Sequence, residues 1–260
     1  MSPETPYRLT IALLIFLALI LAERLRPRRP TQQATRATRW PPNLATGALN
    51  ALILLAAPLS AVGASLFAVH NHLGLTLWLQ LPLWPAIFLS LIVLDLTIYW
   101  QHRLLHAIPA LWRIHRMHHT DTELDATTAL RFHPLEILLS LAIKAAVIVL
   151  LGAPLLAVIA FEILLNGLAM FNHANLRLPP RAERWLRLVL VTPDMHRIHH
   201  SICRPEHDSN YGFNLSLWDR LFRSYTKDPL DSHTGMLLGQ PNFRAPRDSG
   251  FLRLLAQPFR

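Results

Sequence analysis

Long apolar runs at helical length limit what this chain can fold into. Tyr7–Ala22 is apolar except for Arg8 and Thr10, and the polar residues within Leu44–Val69 are Thr46, Asn50, Ser60 and Ser65. Trp84–Trp100 is a third run, with Pro85 at its start, and Leu135–Leu151 and Leu155–Met170 flank Gly152-Ala153-Pro154. A hydrocarbon core about 30 Å thick takes roughly 20 apolar helical residues, with a range of about 17–25. Each run therefore reads as a membrane helix. The last two read as a hairpin whose arms lie near the short end of that range and need not span fully. No water is available in the bilayer core, so a spanning segment must satisfy its backbone internally. The fold class is accordingly all-α, a polytopic membrane helical bundle. Only 16% of the residues are charged, against about 25% in a typical soluble domain. That deficit excludes a disordered chain and argues against an ordinary cytosolic enzyme.

Glu23-Arg24-Leu25-Arg26-Pro27-Arg28-Arg29 follows the first run, with no small-residue cleavage site, so Tyr7–Ala22 is expected to remain as a helix rather than be removed as a signal peptide. Basic residues then set the orientation. Segments 23–40, 101–134 and 172–260 hold nearly all the Lys and Arg, while 70–81 and 152–154 have none. The order out, helix, in, helix, out, helix, in, hairpin, in places all the basic segments on one side. This predicts a cytoplasmic face carrying most of the polar chain. The net charge of +9 then fits anionic lipid headgroups better than nucleic acid, and the Arg residues are not interleaved with aromatics. Ala182–Val191 reads as an amphipathic helix, either lying in the membrane interface or packed as a plain surface helix. Phe243–Arg260 has little pattern and is expected to be loosely ordered.

The chemistry-bearing pattern is histidine. The chain has 14 His, arranged as His102-x3-His106, His115-x2-His118-His119 and His196-x2-His199-His200. Random placement of that many His would rarely give one such triplet, and this chain has two. Positions i, i+3 and i+4 share a helix face, so each triplet is expected to converge on a point. Neutral imidazole suits Zn, Cu, Fe and Ni. Eight imidazoles exceed what one ion can use, and two adjacent metals are the economical inference. Asp95, Tyr99, His102 and His106 form one helical stripe. Asp95 is a candidate for orienting a His through its second nitrogen, or else a solvated interfacial side chain. His173 and His133 flank the hairpin on the same side as the boxes and are further ligand candidates. His70 and His72 lie on the opposite side and read as non-catalytic, and His207 and His233 as ordinary surface residues, although His207 is close enough to the last box to matter. A single Cys excludes a Cys-based metal site, and no phosphate-binding Gly-rich loop or nucleophile elbow is present.

These residues together resemble the fatty acid hydroxylase/sterol desaturase superfamily of integral membrane di-iron enzymes. The three boxes carry the resemblance, with Thr127-Thr128-Ala129-Leu130-Arg131-Phe132-His133-Pro134-Leu135-Glu136, Thr192-Pro193-Asp194-Met195 before the last box, Asn210-Tyr211-Gly212, and Leu217-Trp218-Asp219-Arg220-Leu221-Phe222. It covers about residues 90–225. Hydropathy gives N-terminal membrane helices over 1–80, and the resemblance implies a catalytic domain over 81–260 with a cytoplasmic histidine-rich helical cap. It also implies two Fe ions, for which Zn can substitute in purified protein, and O2-dependent hydroxylation or desaturation of a C–H bond in a fatty acyl or sterol-like lipid. Electrons would come from a separate donor such as a ferredoxin or cytochrome system. Carried over by position, the metal ligands are His102, His106, His115, His118, His119, His196, His199 and His200. His173 matches a further family His, and His133 one found only in some branches. Asp95, Tyr99, Asn175 and Asn210 are candidates for supporting that shell. The alternatives are a metal carrier, whose ligands would sit near the bilayer midplane, and a zinc hydrolase, which needs about three protein ligands. The Ala-, Leu- and Arg-rich composition hints at a bacterial inner membrane.

Overall fold

The computed structural model describes residues 5–31 and 34–260. The long helices are α1 (Thr5–Leu25), α2 (Arg36–Ala56), α3 (Ala61–His70), the single turn α4 (Leu75–Trp78), α5 (Leu83–Ala107), α6 (Pro109–His119), α7 (Pro134–Leu151) and α8 (Leu155–His173). Shorter helices follow: α9 (Pro180–Leu186), α10 (Pro193–His199), α11 (Arg204–His207), α12 (Leu217–Leu221) and α13 (Phe251–Ala256). Among the described residues the only β-structure is three isolated bridges. Residues 36–78, α5, α7 and α8 are long and apolar enough to cross a membrane. α1 turns Leu13, Leu14, Leu17 and Leu21 outward. The all-α membrane bundle expected from hydropathy is the observed fold.

Three details differ from the hydropathy reading. The stretch Leu44–Val69 is not one rod: α2 ends at Ala56, and α3 restarts after Ser60, whose Oγ caps it by accepting from the Gly63 N–H at 2.9 Å. Pro58 explains the break, since it cannot donate to a helical ladder and pushes Ala57 out of the α region. Helix α9 is shorter than the expected 182–191, because the chain turns away after Leu186 and Leu190 bridges Leu215. The C-terminus is ordered rather than loose. Leu254 and Gln257 are buried, and Arg113 Nε donates to the Pro258 carbonyl at 2.7 Å.

The hairpin forms as expected. Gly152 closes α7 in the left-handed region at φ 66°, and a β-carbon on Gly74 (φ 106°) would lie 2.0 Å from the Gly152 nitrogen. The two loops lacking Lys and Arg therefore pack on each other, at the end of α7 and α8 opposite to His133 and His173. The arms, of 18 and 19 residues, rise about 27–28 Å. The core between α3, α5, α7 and α8 is small and apolar, built from Ala61, Ala64, Leu94, Ile98, Ala145, Ile148, Val158 and Phe161.

At the other end the chain is polar and buried. Arg39 of α2 pairs with Asp121 (Nη2–Oδ2 2.7 Å) and Asp125 (Nη1–Oδ2 2.7 Å), and all three are buried. The same guanidinium reaches the Glu123 carbonyl at 2.7 Å. Arg131 lies beside it and donates to the Met117 carbonyl at 3.1 Å and to Thr120 Oγ at 2.7 Å. These two arginines fix the loop that follows α6, and α6 carries the second histidine box.

Candidate metal centre

Proline sets the directions of the helices that carry histidine. Helix α5 runs to its C-terminal His102 and His106. Ile108 then takes an extended conformation (φ −98°, ψ 117°), and Pro109 opens α6 at a new angle. Thr192 caps α10 and Pro193 is its first residue. His173 ends α8. These four elements meet at one end of the bundle.

Nine imidazoles come together there in two groups. The first holds His102, His106, His115, His119 and His199, and the second holds His118, His173, His196 and His200. Within each group one ring nitrogen per residue lies within 4.8 Å of all the others. The expectation that each triplet converges on one point is corrected. His115 and His119 enter the first group while His118 enters the second, and His196 and His200 enter the second while His199 enters the first. Helical rotation explains the division: residues four apart nearly superpose on one face, whereas the i+3 residue points about 100° away from i+4.

The nitrogens face each other. Nε2 of His119 lies 3.1 Å from that of His115 and 3.2 Å from that of His106. Nε2 of His173 lies 2.9 Å from that of His118 and 3.0 Å from that of His196, which in turn is 3.2 Å from Nε2 of His200. Four of the rings hold their proton on the other nitrogen. His102 Nδ1 donates to the Tyr211 carbonyl (2.8 Å), His115 Nδ1 to Glu136 Oε1 (2.8 Å), His173 Nδ1 to the Ala169 carbonyl (2.6 Å) and His199 Nδ1 to the Ser209 carbonyl (2.7 Å). Their Nε2 lone pairs therefore point inward, and those of His102 and His199 are buried with no hydrogen-bond partner. Burial, reinforced by neighbouring imidazoles, pushes His118, His119, His196, His199 and His200 well below the usual imidazole range. Lone pairs aimed at one another at these distances repel unless a proton or a metal cation lies between them. An ion with bonds of about 2.0–2.1 Å to imidazole would set its ligands about 3–4 Å apart, which is the spacing seen. The donor set fits a pair of first-row metal ions.

The other expected residues lie elsewhere. His133 joins neither group. It caps α7, its Nδ1 accepting from the Leu135 N–H at 3.2 Å while its Nε2 meets the Leu255 carbonyl at 3.2 Å. Asp95 does not orient a histidine: its Oδ2 accepts from Trp218 Nε1 at 2.8 Å and the Leu215 N–H at 3.2 Å. Tyr99 packs with Tyr211, Trp218 and Phe222 and bonds Ser224 Oγ at 2.8 Å. Asn175 pairs with the Arg29 backbone through both its amide atoms. Asn210 (φ 50°) donates to the Met195 and Thr226 carbonyls. It thereby holds the strand of chain whose Ser209 and Tyr211 carbonyls anchor His199 and His102.

Sequence reasoning missed two residues. Glu136 orients His115; the signal was its place in the first turn after the Pro134 that starts α7. His207 was read as surface, but it is buried against His106 (4.8 Å between ring centroids), His119 (4.9 Å) and Trp112 (4.6 Å). It lines a cleft of about 360 Å³ with Trp112, Arg204 and Asp208. Burial pushes its pKa down to about 4. His70 and His72 are exposed at the far end, as expected.

A membrane bundle capped by two histidine groups is a membrane protein with two sites that could each hold a metal ion. The fatty acid hydroxylase family model matches residues 87–224, and the chain belongs to that family. It is 31% identical over 202 residues to the ornithine lipid hydroxylase OlsE of Rhizobium tropici, covering 77% of this chain and 57% of that protein. It is 30% identical over 142 residues to human alkylglycerol monooxygenase, covering 55% of this chain and 30% of the relative. To the fatty acid hydroxylase vlmA of a Lecanicillium species it is 29% identical over 178 residues, covering 58% and 44%. The chain thus spans well under two thirds of the length of these relatives. No solved structure matches it. Its apolar helices and these relatives together make it an integral membrane protein.

Proposed function

We propose that the chain is a di-iron, O2-dependent lipid hydroxylase. One oxygen atom of O2 enters a C–H bond of a fatty acyl, alkyl or sterol-like chain, and the other leaves as water. A separate carrier, such as a ferredoxin or cytochrome system, delivers the two electrons, and two protons come from solvent. The reading is carried by the two adjacent groups of inward-facing Nε2 atoms at the end of a membrane bundle. The names of the relatives favour oxygen insertion over desaturation. When bound, a pair of irons supplies the O2 reduction that imidazole and carboxylate groups cannot perform themselves.

The chain's own residues hold and shield the site. Nδ1 anchors on Tyr211, Glu136, Ala169 and Ser209 fix which nitrogen of each ring is free. Phe132 stacks on His118 (4.2 Å, 11°), and Phe213 lies 6.1 Å from His102 and 6.3 Å from His196. These aromatics pack against the histidine groups, and Phe213 also packs on the apolar core of the membrane helices, the side from which a lipid chain would approach.

Anaerobically purified protein is expected to hold about two irons per chain, with His118→Ala and His199→Ala each depleting a different group. Lipid mass spectrometry with labelled dioxygen is expected to show gain of one labelled oxygen. An iron content near one per chain, or full activity in both variants, would overturn the reading. Loss of two hydrogens without oxygen gain would make the enzyme a desaturase. We further place the protein in a bacterial inner membrane with the histidines cytoplasmic, supported by the clustering of Arg on the histidine side. Labelling of single cysteines in a Cys203→Ser background should reach Asn71→Cys and Arg204→Cys, both exposed, from opposite sides.

A further inference from the structure

Three ionisable side chains meet at membrane depth, far from the histidines. Glu162 of α8 takes Arg8 of α1 on one carboxylate oxygen (2.5 Å) and Lys144 of α7 on the other (3.6 Å). Glu162 and Lys144 each lie eleven positions from the histidine end of their helix, about 16 Å along the axis. Two cations share one carboxylate, so the trio carries one positive charge more than it neutralises. An unmatched charge among apolar helices is costly and normally has a partner.

Two of the three, Arg8 and Glu162, border a groove of about 490 Å³. Arg8, Glu162 and Asn166 form its polar wall, and Leu9, Leu54 and Leu59 contribute apolar surface. The break between α2 and α3 also lines it, through Ala57, Leu59 and Ser60. Non-helical backbone at this depth is tolerated where it faces protein or a cavity. On α1, fifteen positions separate Arg8 from Glu23, about 22 Å of rise against a core of about 30 Å. Glu23 is fixed at the histidine end, accepting from the Ala126 and Asn175 N–H groups at 2.8 and 3.0 Å. The shortfall therefore falls at Arg8, whose charge is met by snorkelling toward the opposite interface or by thinning of that leaflet.

We propose that this groove binds an acidic phospholipid of the leaflet opposite the histidines, its phosphate set against Arg8 and its acyl chains along the leucines, while Lys144 offsets the charge of Glu162. A zwitterionic lipid would add its own cation to a site already in cationic excess.

The test uses the full chain, purified in detergent and stripped of lipid. Native mass spectrometry follows titration with dioleoyl phosphatidylglycerol or dioleoyl phosphatidylcholine. Wild type is expected to prefer phosphatidylglycerol by about tenfold, in line with one or two basic groups acting at low dielectric. Arg8→Gln/Lys144→Gln is expected to bring the two lipids level, and Arg8→Lys/Lys144→Arg to keep the preference. Equal binding of both lipids by wild type, or an undiminished preference in the neutral double variant, would overturn the proposal. Lipid binding is read without turnover, so this outcome leaves the metal-centred function standing, and iron content measured on the same samples reports on that reading separately.

Discussion

Glu136 and His133 lie three positions apart at the start of α7 and make opposite predictions. Glu136 is buried, and its Oε1 receives the Nδ1 proton of His115 at 2.8 Å. That bond fixes the His115 tautomer and ring plane, aiming Nε2 into the first group. Removing such an orienting partner typically lowers metal affinity or activity about 10–100-fold, or about 1.4–2.8 kcal/mol. Glu136→Ala should therefore fall at that scale in iron retention when challenged with a chelator. Glu136→Gln should be milder, because an amide oxygen can still accept the proton. His133 faces no other histidine in either group. His133→Ala removes only the cap on the Leu135 N–H and the contact with Leu255, a loss of about 1 kcal/mol in stability, and should leave about two irons per chain. The assay is metal analysis after graded chelation, with thermal unfolding on the same samples. If His133→Ala lost iron while Glu136→Ala kept it, the division of roles drawn from these distances would be wrong.

Three further outcomes follow from buried and half-buried polar residues. Arg39→Leu leaves Asp121 and Asp125 buried without their cation, which should destabilise the protein by about 3–5 kcal/mol, visible as a large drop in Tm; an unchanged Tm would show the network to be dispensable. Asp95→Leu strips the acceptor from Trp218 Nε1 at a cost of about 1–3 kcal/mol, whereas Asp95→Asn retains an acceptor and should cost less, with intrinsic tryptophan fluorescence tracking the change. Burial pushes the His233 pKa down to about 4 from 6.5, outweighing nearby Asp194. The unfolded chain then binds the proton more readily between those values, so stability falls as pH drops through that window. His233→Asn should flatten the Tm profile between pH 6.5 and 4, and an unaltered slope would exclude His233 as a contributor.

The legible parts of this fold were those set by local rules. The apolar runs and the Gly152-Ala153-Pro154 turn between them marked the membrane hairpin, and the bare loops at 70–81 and 152–154 were grouped by charge before the contact of Gly74 with Gly152 showed them packed together. What escaped was decided at long range. Nothing near Asp95 in sequence signals that its partner is Trp218, 123 positions away. His207 follows the last box closely, yet its burial depends on how the chain returns beside α5 and α6. His133 looked like a ligand because it neighbours the boxes, but as the N-cap of α7 its ring is committed to the backbone.

The splitting of the two His-x2-His-His boxes is the step that makes two metal groups rather than one. Helix α6 gives two rings to the first group and one to the second, and α10 gives one to the first and two to the second. Neither helix alone can fill a group, and neither group can form until both helices dock. His102 and His106 from the end of α5 bring the first group to five rings, and His173 from the end of α8 brings the second to four. The assembled centre therefore reports on the packing of the membrane helices themselves. A change in the tilt of α8 against α5 would move His173 relative to His102 and disturb the second group before the first. A small-to-large substitution in the α5–α8 core, such as Val158→Phe on buried Val158, which clusters with Leu94 and Ile98, should thus lower iron occupancy by about one per chain before it unfolds the protein, read by metal analysis beside Tm. Loss of both irons together, in step with unfolding, would show that the two groups form as a single unit.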